Sequence, residues 1–109
     1  MKKILSIILA IALFSFAFAT PALAAGAPDG AKLFKKNCAV CHAGGGNTLN
    51  PNKTLSQADL TTNEKDTLEA VVKQVTYGKK QMPRFKGRLK DNEIEAVATY
   101  VLGQAEAGW

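Results

Sequence analysis

Outside residues 38–42 this chain contains no cysteine and no histidine. That scarcity excludes several chemistries at once. A Ser–His–Asp or Cys–His catalytic pair would have to be assembled from that one pentapeptide. A structural zinc site needs about four nitrogen or sulfur ligands, and only three such residues exist. Two cysteines permit at most one disulfide, in a loop too short to stabilise much. A thioredoxin-like redox pair requires a βαβ setting, and no segment shows the alternation of a strand. Internal repeats and low-complexity segments are also missing, as is any second apolar run long enough to span a bilayer.

The one long apolar run is at the start. Lys2 and Lys3 precede Ile4–Ala19, which is interrupted only by Ser6 and Ser15, and Pro21 and Ala22-Leu23-Ala24 follow. This is the order of a secretory signal peptide with an A-x-A cleavage site. At 16 residues the run is short of the about 20 that a membrane helix needs. The expectation is cleavage after Ala24 and a mature domain over residues 25–109, exported and not embedded in a membrane. Losing Lys2 and Lys3 takes the formal charge from +5 to +3, and Met82 becomes the only methionine. A chain of that size buries a thin core and ordinarily requires a metal, disulfide or cofactor to staple it.

Helical periodicity dominates the remainder. Asp29 is placed to cap a helix running toward Cys38, with Gly30, Phe34 and Cys38 on one face. Gly44-Gly45-Gly46 stops regular structure, and Asn50-Pro51 marks a turn. Ser56–Asp59 has the form of a capping box for a short helix. Leu68, Val71, Val72 and Val75 predict a helix over 66–76, ended by Tyr77-Gly78. Ile94, Val97, Tyr100 and Val101 predict another over 91–106. The expected fold is all-α, three to five helices with long loops that something else must organise.

The stretch "NCAVCHAGGG" holds both cysteines and the histidine. C-x-x-C-H is the pattern of covalent haem attachment. At the end of a helix, Cys38, Cys41 and His42 leave from one face at i, i+3 and i, i+4. Two thiols can form thioethers with the haem vinyl groups, and the adjacent imidazole can reach the iron. A ligating histidine needs an acceptor for its other ring nitrogen; the chain after the glycines, near Pro51, is the expected source. The glycines suit backbone passing close to a flat macrocycle. By elimination the sixth ligand is Met82, in the loop Gln81-Met82-Pro83. With both axial positions filled, the site suits one-electron transfer rather than an enzyme's catalysis. A haem enzyme or gas sensor is the alternative if Met82 does not ligate.

Six bases surround that methionine: Lys79, Lys80, Arg84, Lys86, Arg88 and Lys90, with no acid among them. Beyond Lys90 the chain carries four acids and no base. The positive rim would steer acidic partners toward the haem edge, with Lys79, Lys80, Arg84, Lys86 and Arg88 as docking residues. Arg88 or Lys53 could alternatively neutralise haem propionates. Nucleic acid is a poor partner for a domain of this charge without interleaved aromatics.

Three stretches together resemble the cytochrome c6 family of class I c-type cytochromes, in its cyanobacterial form: "GAKLFKKNCAVCHAGG", "VVKQVTYGKKQMPRFKGRL" and "IEAVATYVLGQAEAGW". The resemblance implies the class I cytochrome c fold around one haem c held by Cys38 and Cys41, with His42 and Met82 as axial ligands. It implies a first and last helix crossing near Gly30 or Phe34 and Tyr100. It places Gln74 beside the haem and Arg88 in docking. It implies a monomeric carrier in the thylakoid lumen or periplasm, taking electrons from the cytochrome b6f complex to photosystem I, with a terminal oxidase as a further acceptor. A respiratory periplasmic cytochrome of the same fold would share every ligand. Lys90 stands where related sequences often have a serine cap, which suggests a cap shifted to Asp91.

Overall fold

The computed structural model describes residues 27–109; the leader and its cleavage after Ala24 lie outside them. Among the described residues five α-helices follow one another: α1 (Gly30–Asn37), α2 (Ala39–His42), α3 (Gln57–Thr62), α4 (Leu68–Tyr77) and α5 (Asp91–Ala107), with a 3-10 turn at Ala43–Gly45 after α2. The only strand-like pairings among the described residues are the isolated bridges Lys79–Met82 and Lys86–Leu89. None of these helices is long and apolar enough to cross a membrane.

Local chemistry sets each boundary. The Asp29 carboxylate accepts from the Lys32 N–H and opens α1, while Lys35 and Lys36 in the last turn face the negative end of the helix dipole. Ser56 Oγ accepts from the Asp59 N–H at α3. Helix α4 starts at Leu68, two residues later than the periodicity suggested, because Thr67 Oγ1 captures the Ala70 N–H at 3.2 Å and so takes the cap. Gly78, at φ +67, ends α4; a Cβ there would lie 2.5 Å from Met82 O. The α5 cap stays at Lys90 and does not shift to Asp91. A lysine side chain cannot accept a hydrogen bond, so Glu93 reaches back and its Oε1 accepts from the Lys90 N–H at 2.9 Å.

Helix α5 is the spine. Ile94, Val97, Ala98, Val101 and Ala105 are its buried stripe. Val97, Val101 and Ala105 pack with Phe34 and Leu60, while Ile94 and Ala98 pack with Val71, Val75 and Phe85. One helix therefore joins α1 and α3 on one side to α4 on the other. The α1–α5 crossing is where the resemblance placed it. Gly30 lies directly against the Ala96 carbonyl, and the Phe34 and Tyr100 rings are 5.3 Å apart.

Candidate functional site

The helix carrying the first cysteine does not run on through the motif, as the sequence suggested. It ends at Asn37, and Cys38 (φ −119, ψ −30) caps the short α2. The N–H groups of Cys41 and His42 both donate to Cys38 O, at 3.1 and 2.9 Å. Cys38, Cys41 and His42 are thus held on a single tight turn. No disulfide joins the two cysteines. Burial pushes the Cys38 thiol up to about 11.

His42 Nδ1 lies 2.8 Å from Gly46 O. A carbonyl can only accept, so Nδ1 carries the proton and Nε2 is left free to bind a metal. The acceptor belongs to the third glycine rather than to the chain near Pro51, because the 3-10 turn folds that glycine back over the ring. The glycines also differ from expectation. None of the three lines the cavity, and the buried Gly45 instead faces the Trp109 indole.

A cavity of about 360 Å³ opens beside this turn. Cys38, Cys41, His42, Gln74 and Met82 all line it, within walls contributed by Phe34, Leu60, Val71, Val75, Phe85, Val97 and Val101. Met82 also packs against the core around Phe85 and Ile94. Its loop is a tight turn in which the Lys79 and Met82 backbones exchange hydrogen bonds of 3.1 and 3.0 Å, with Lys80 at φ +55. Gln74 Nε2 donates to Met82 Sδ at 3.4 Å. The loop is then anchored to α4 by Phe85 N–H to Val75 O and Lys86 N–H to Thr76 O. Thus the segment after Met82 is organised by the chain's own backbone.

This donor set suits haem and suits a metal cage poorly. Among the described residues no three His, Cys, Asp and Glu side chains converge as a metal site. An imidazole with a free Nε2, a thioether, two thiols on one turn and apolar walls are what a covalently bound haem requires. Cys38 and Cys41 would hold the macrocycle, and His42 and Met82 would face the iron.

The charged lining is mostly positive: Lys53, Lys65, Lys79 and Lys80 against Asp59. Asp59 is tied to Thr54, whose hydroxyl and N–H both donate to Oδ2, and these bonds hold the carboxyl below its usual range. Lys53, one of the two residues that the sequence offered as a propionate partner, lines the cavity. Arg88 does not line the cavity; its guanidinium stacks 5.0 Å from the Phe85 ring centre. Arg84, Lys86 and Arg88 are exposed, as are Lys79 and Lys80. Two residues on the lining went unnoticed in the sequence: Val40, 84% exposed, and Leu49, 56% exposed. The signal for Leu49 was an apolar residue within a polar loop, and for Val40 an apolar residue between the two cysteines.

A family model described as cytochrome c oxidase, cbb3-type, subunit III, matches residues 25–101. The cytochrome c6 of Nostoc sp. is 57% identical over 110 residues, covering 100% of this chain and 99% of that protein. This chain belongs to the cytochrome c6 family. The cytochrome c6 of Leptolyngbya boryana is 58% identical over 85 residues, 78% of this chain and 100% of that protein. The solved cytochrome c6 of the diatom Phaeodactylum tricornutum superposes with a TM-score of 0.72 at 50% identity, over 73% of this chain and 94% of that one. Cytochrome c6C of a Synechococcus species gives the same TM-score at 38% identity, over 73% of this chain and 98% of that one. The architecture is the class I cytochrome c fold. As a cytochrome c6 the chain carries one covalent haem c, works in photosynthetic electron transport, and is an electron carrier rather than an enzyme.

Proposed function

We propose that this cytochrome c6, exported after removal of residues 1–24, shuttles single electrons from the cytochrome b6f complex to photosystem I in the thylakoid lumen. Cys38 and Cys41 form the two thioethers, and His42 and Met82 are the axial ligands. The observation that carries this reading is the shared cavity, in which an imidazole with only Nε2 free and a thioether both face the space between the apolar walls. The haem supplies the reversible one-electron couple. The residues around it would hold the ligands in place and supply apolar walls that exclude water, while Val40 and Leu49 stand exposed on the same lining for a partner to meet.

The exposed bases beside the Met82 turn form the docking rim, and such contacts are small, weak and salt-sensitive. A terminal oxidase is the second acceptor of this reading. The test is spectroscopic and kinetic. Ferric protein should show the weak far-red sulfur-to-iron band, and Met82→Ala should abolish it. Isolated photosystem I should oxidise the reduced protein after a flash. A wild-type protein without that band, or one that photosystem I does not oxidise, overturns the proposal.

A further inference from the structure

We infer that Trp109 is a positioning residue for the His42 imidazole, acting through the Gly45–Gly46 backbone; the inference rests on His42 being an iron ligand. The indole lies flat against Gly45, where a Cβ would come within 2.5–2.6 Å of Cδ1, Cγ and Cδ2 of the ring. Its Nε1–H donates to Leu55 O at 2.8 Å, and the Leu55 N–H donates to Gly45 O at 2.7 Å. Ring, Leu55 and Gly45 thus form a closed circuit. One peptide further on, Gly46 O receives the His42 Nδ1–H.

The indole is itself immobilised. Phe34 packs against it at 5.3 Å between ring centres, and Tyr100 meets it edge-on at 6.1 Å. After Gly108 turns at φ +91, the Trp109 N–H returns to Gln104 O at 2.8 Å. The rigid α1–α5 crossing is therefore transmitted to a loop that could not stiffen itself.

Gly45 makes that transmission necessary. At φ +82 it occupies backbone space that glycine alone adopts freely, and it has no side chain with which to restrain its own torsions. The Gly46 N–H is bonded to Ala43 O at 3.2 Å, but the direction of the Gly46 carbonyl depends on where the chain leaves Gly45 and returns to Leu55. Removing the indole frees both points. Gly46 O then turns toward water, and the imidazole loses the acceptor that fixes its orientation and strengthens it as a donor to metal. A weaker donor favours the ferrous state, so the reduction potential rises.

The experiment uses haem-loaded wild type, Trp109→Leu, Trp109→Phe, and Thr67→Ala as a control that removes the α4 cap without touching the indole cluster or this loop. Solvent exchange of the His42 Nδ1 proton is read by NMR in the diamagnetic ferrous protein, alongside potentiometry. Trp109→Leu should accelerate exchange by about tenfold or more and raise the potential. Trp109→Phe keeps a ring on Gly45 but loses the bond to Leu55, and should fall between. Thr67→Ala should lose stability and move neither readout. If Trp109→Leu does not fold, Trp109→Phe carries the test. Variants matching wild type, or matching Thr67→Ala in both readouts, overturn the inference alone. A wild type whose ring protons and ferric spectrum show no ligation by His42 overturns the ligand reading and the inference with it.

Discussion

Two glycine-to-alanine substitutions, chemically identical, should shift stability in opposite directions. At Gly30 a Cβ would collide with the Ala96 carbonyl, lying 2.8 Å from Ala96 C and 3.1 Å from Tyr100 Cβ. The first two atoms are helix backbone and cannot swing aside, so α1 must lift off α5 or tilt. Overpacking of this kind costs about 1–3 kcal/mol. The offsetting gain in helix propensity is at most about 1 kcal/mol and smaller at the first position of a helix. The net loss is about 1–2 kcal/mol, a fall in melting temperature of about 5–15 °C for a domain of this size. At Gly103 the same methyl would meet nothing within 4 Å, on the exposed face of α5. There the full propensity gain applies, about 0.5–1 kcal/mol, or a rise of about 3–6 °C. Thermal and guanidinium unfolding of the haem-loaded protein, followed by far-ultraviolet circular dichroism, reads both. An alanine at position 30 that matches wild type, or two variants that move in the same direction, would refute the packing argument.

Reversing Lys79, Lys86 and Arg88 to glutamate should slow oxidation by photosystem I by about tenfold or more at low salt and flatten its ionic-strength dependence; a wild-type rate indifferent to salt would exclude steering by this rim. The Asp59 carboxyl, held down first by the Thr54 hydroxyl and then by its N–H, has a folded-state pKa below the unfolded one. Its contribution to stability is therefore complete above the unfolded value and disappears as pH falls through the folded value. Thr54→Val should raise the Asp59 pKa in an NMR titration and move acid unfolding to higher pH, whereas an unchanged titration would show that the hydroxyl bond does not matter.

The elements and the chemistry-bearing residues were legible in the chain because each depends on neighbours a few positions away. Asp29, Ser56 and Gly78 cap or end helices through bonds spanning three or four residues. Cys38, Cys41 and His42 share one turn for the same reason. Where local reading failed, a competing local bond was responsible. Thr67 took a cap that the apolar period placed earlier, and Glu93 kept at Lys90 the cap expected at Asp91.

What lay beyond reach were contacts whose partners are backbone atoms or lie far along the chain. The acceptor for His42 is a glycine carbonyl, which no residue type announces. The bond from Trp109 to Leu55 spans 54 residues, and Gly45 owes its lack of a side chain to that indole. Thr54 and Asp59 are five apart, a spacing that matches no regular element. By itself the sequence determined that this is a small helical domain bearing a haem-attachment motif and a single methionine beyond Met1, since composition and short-range geometry suffice for that. Only the tertiary structure decided that the imidazole and the thioether share a cavity and what aims each of them. Those relations arise when α5 brings α1, α4 and the closing tryptophan together, and they have no counterpart in any short stretch of chain.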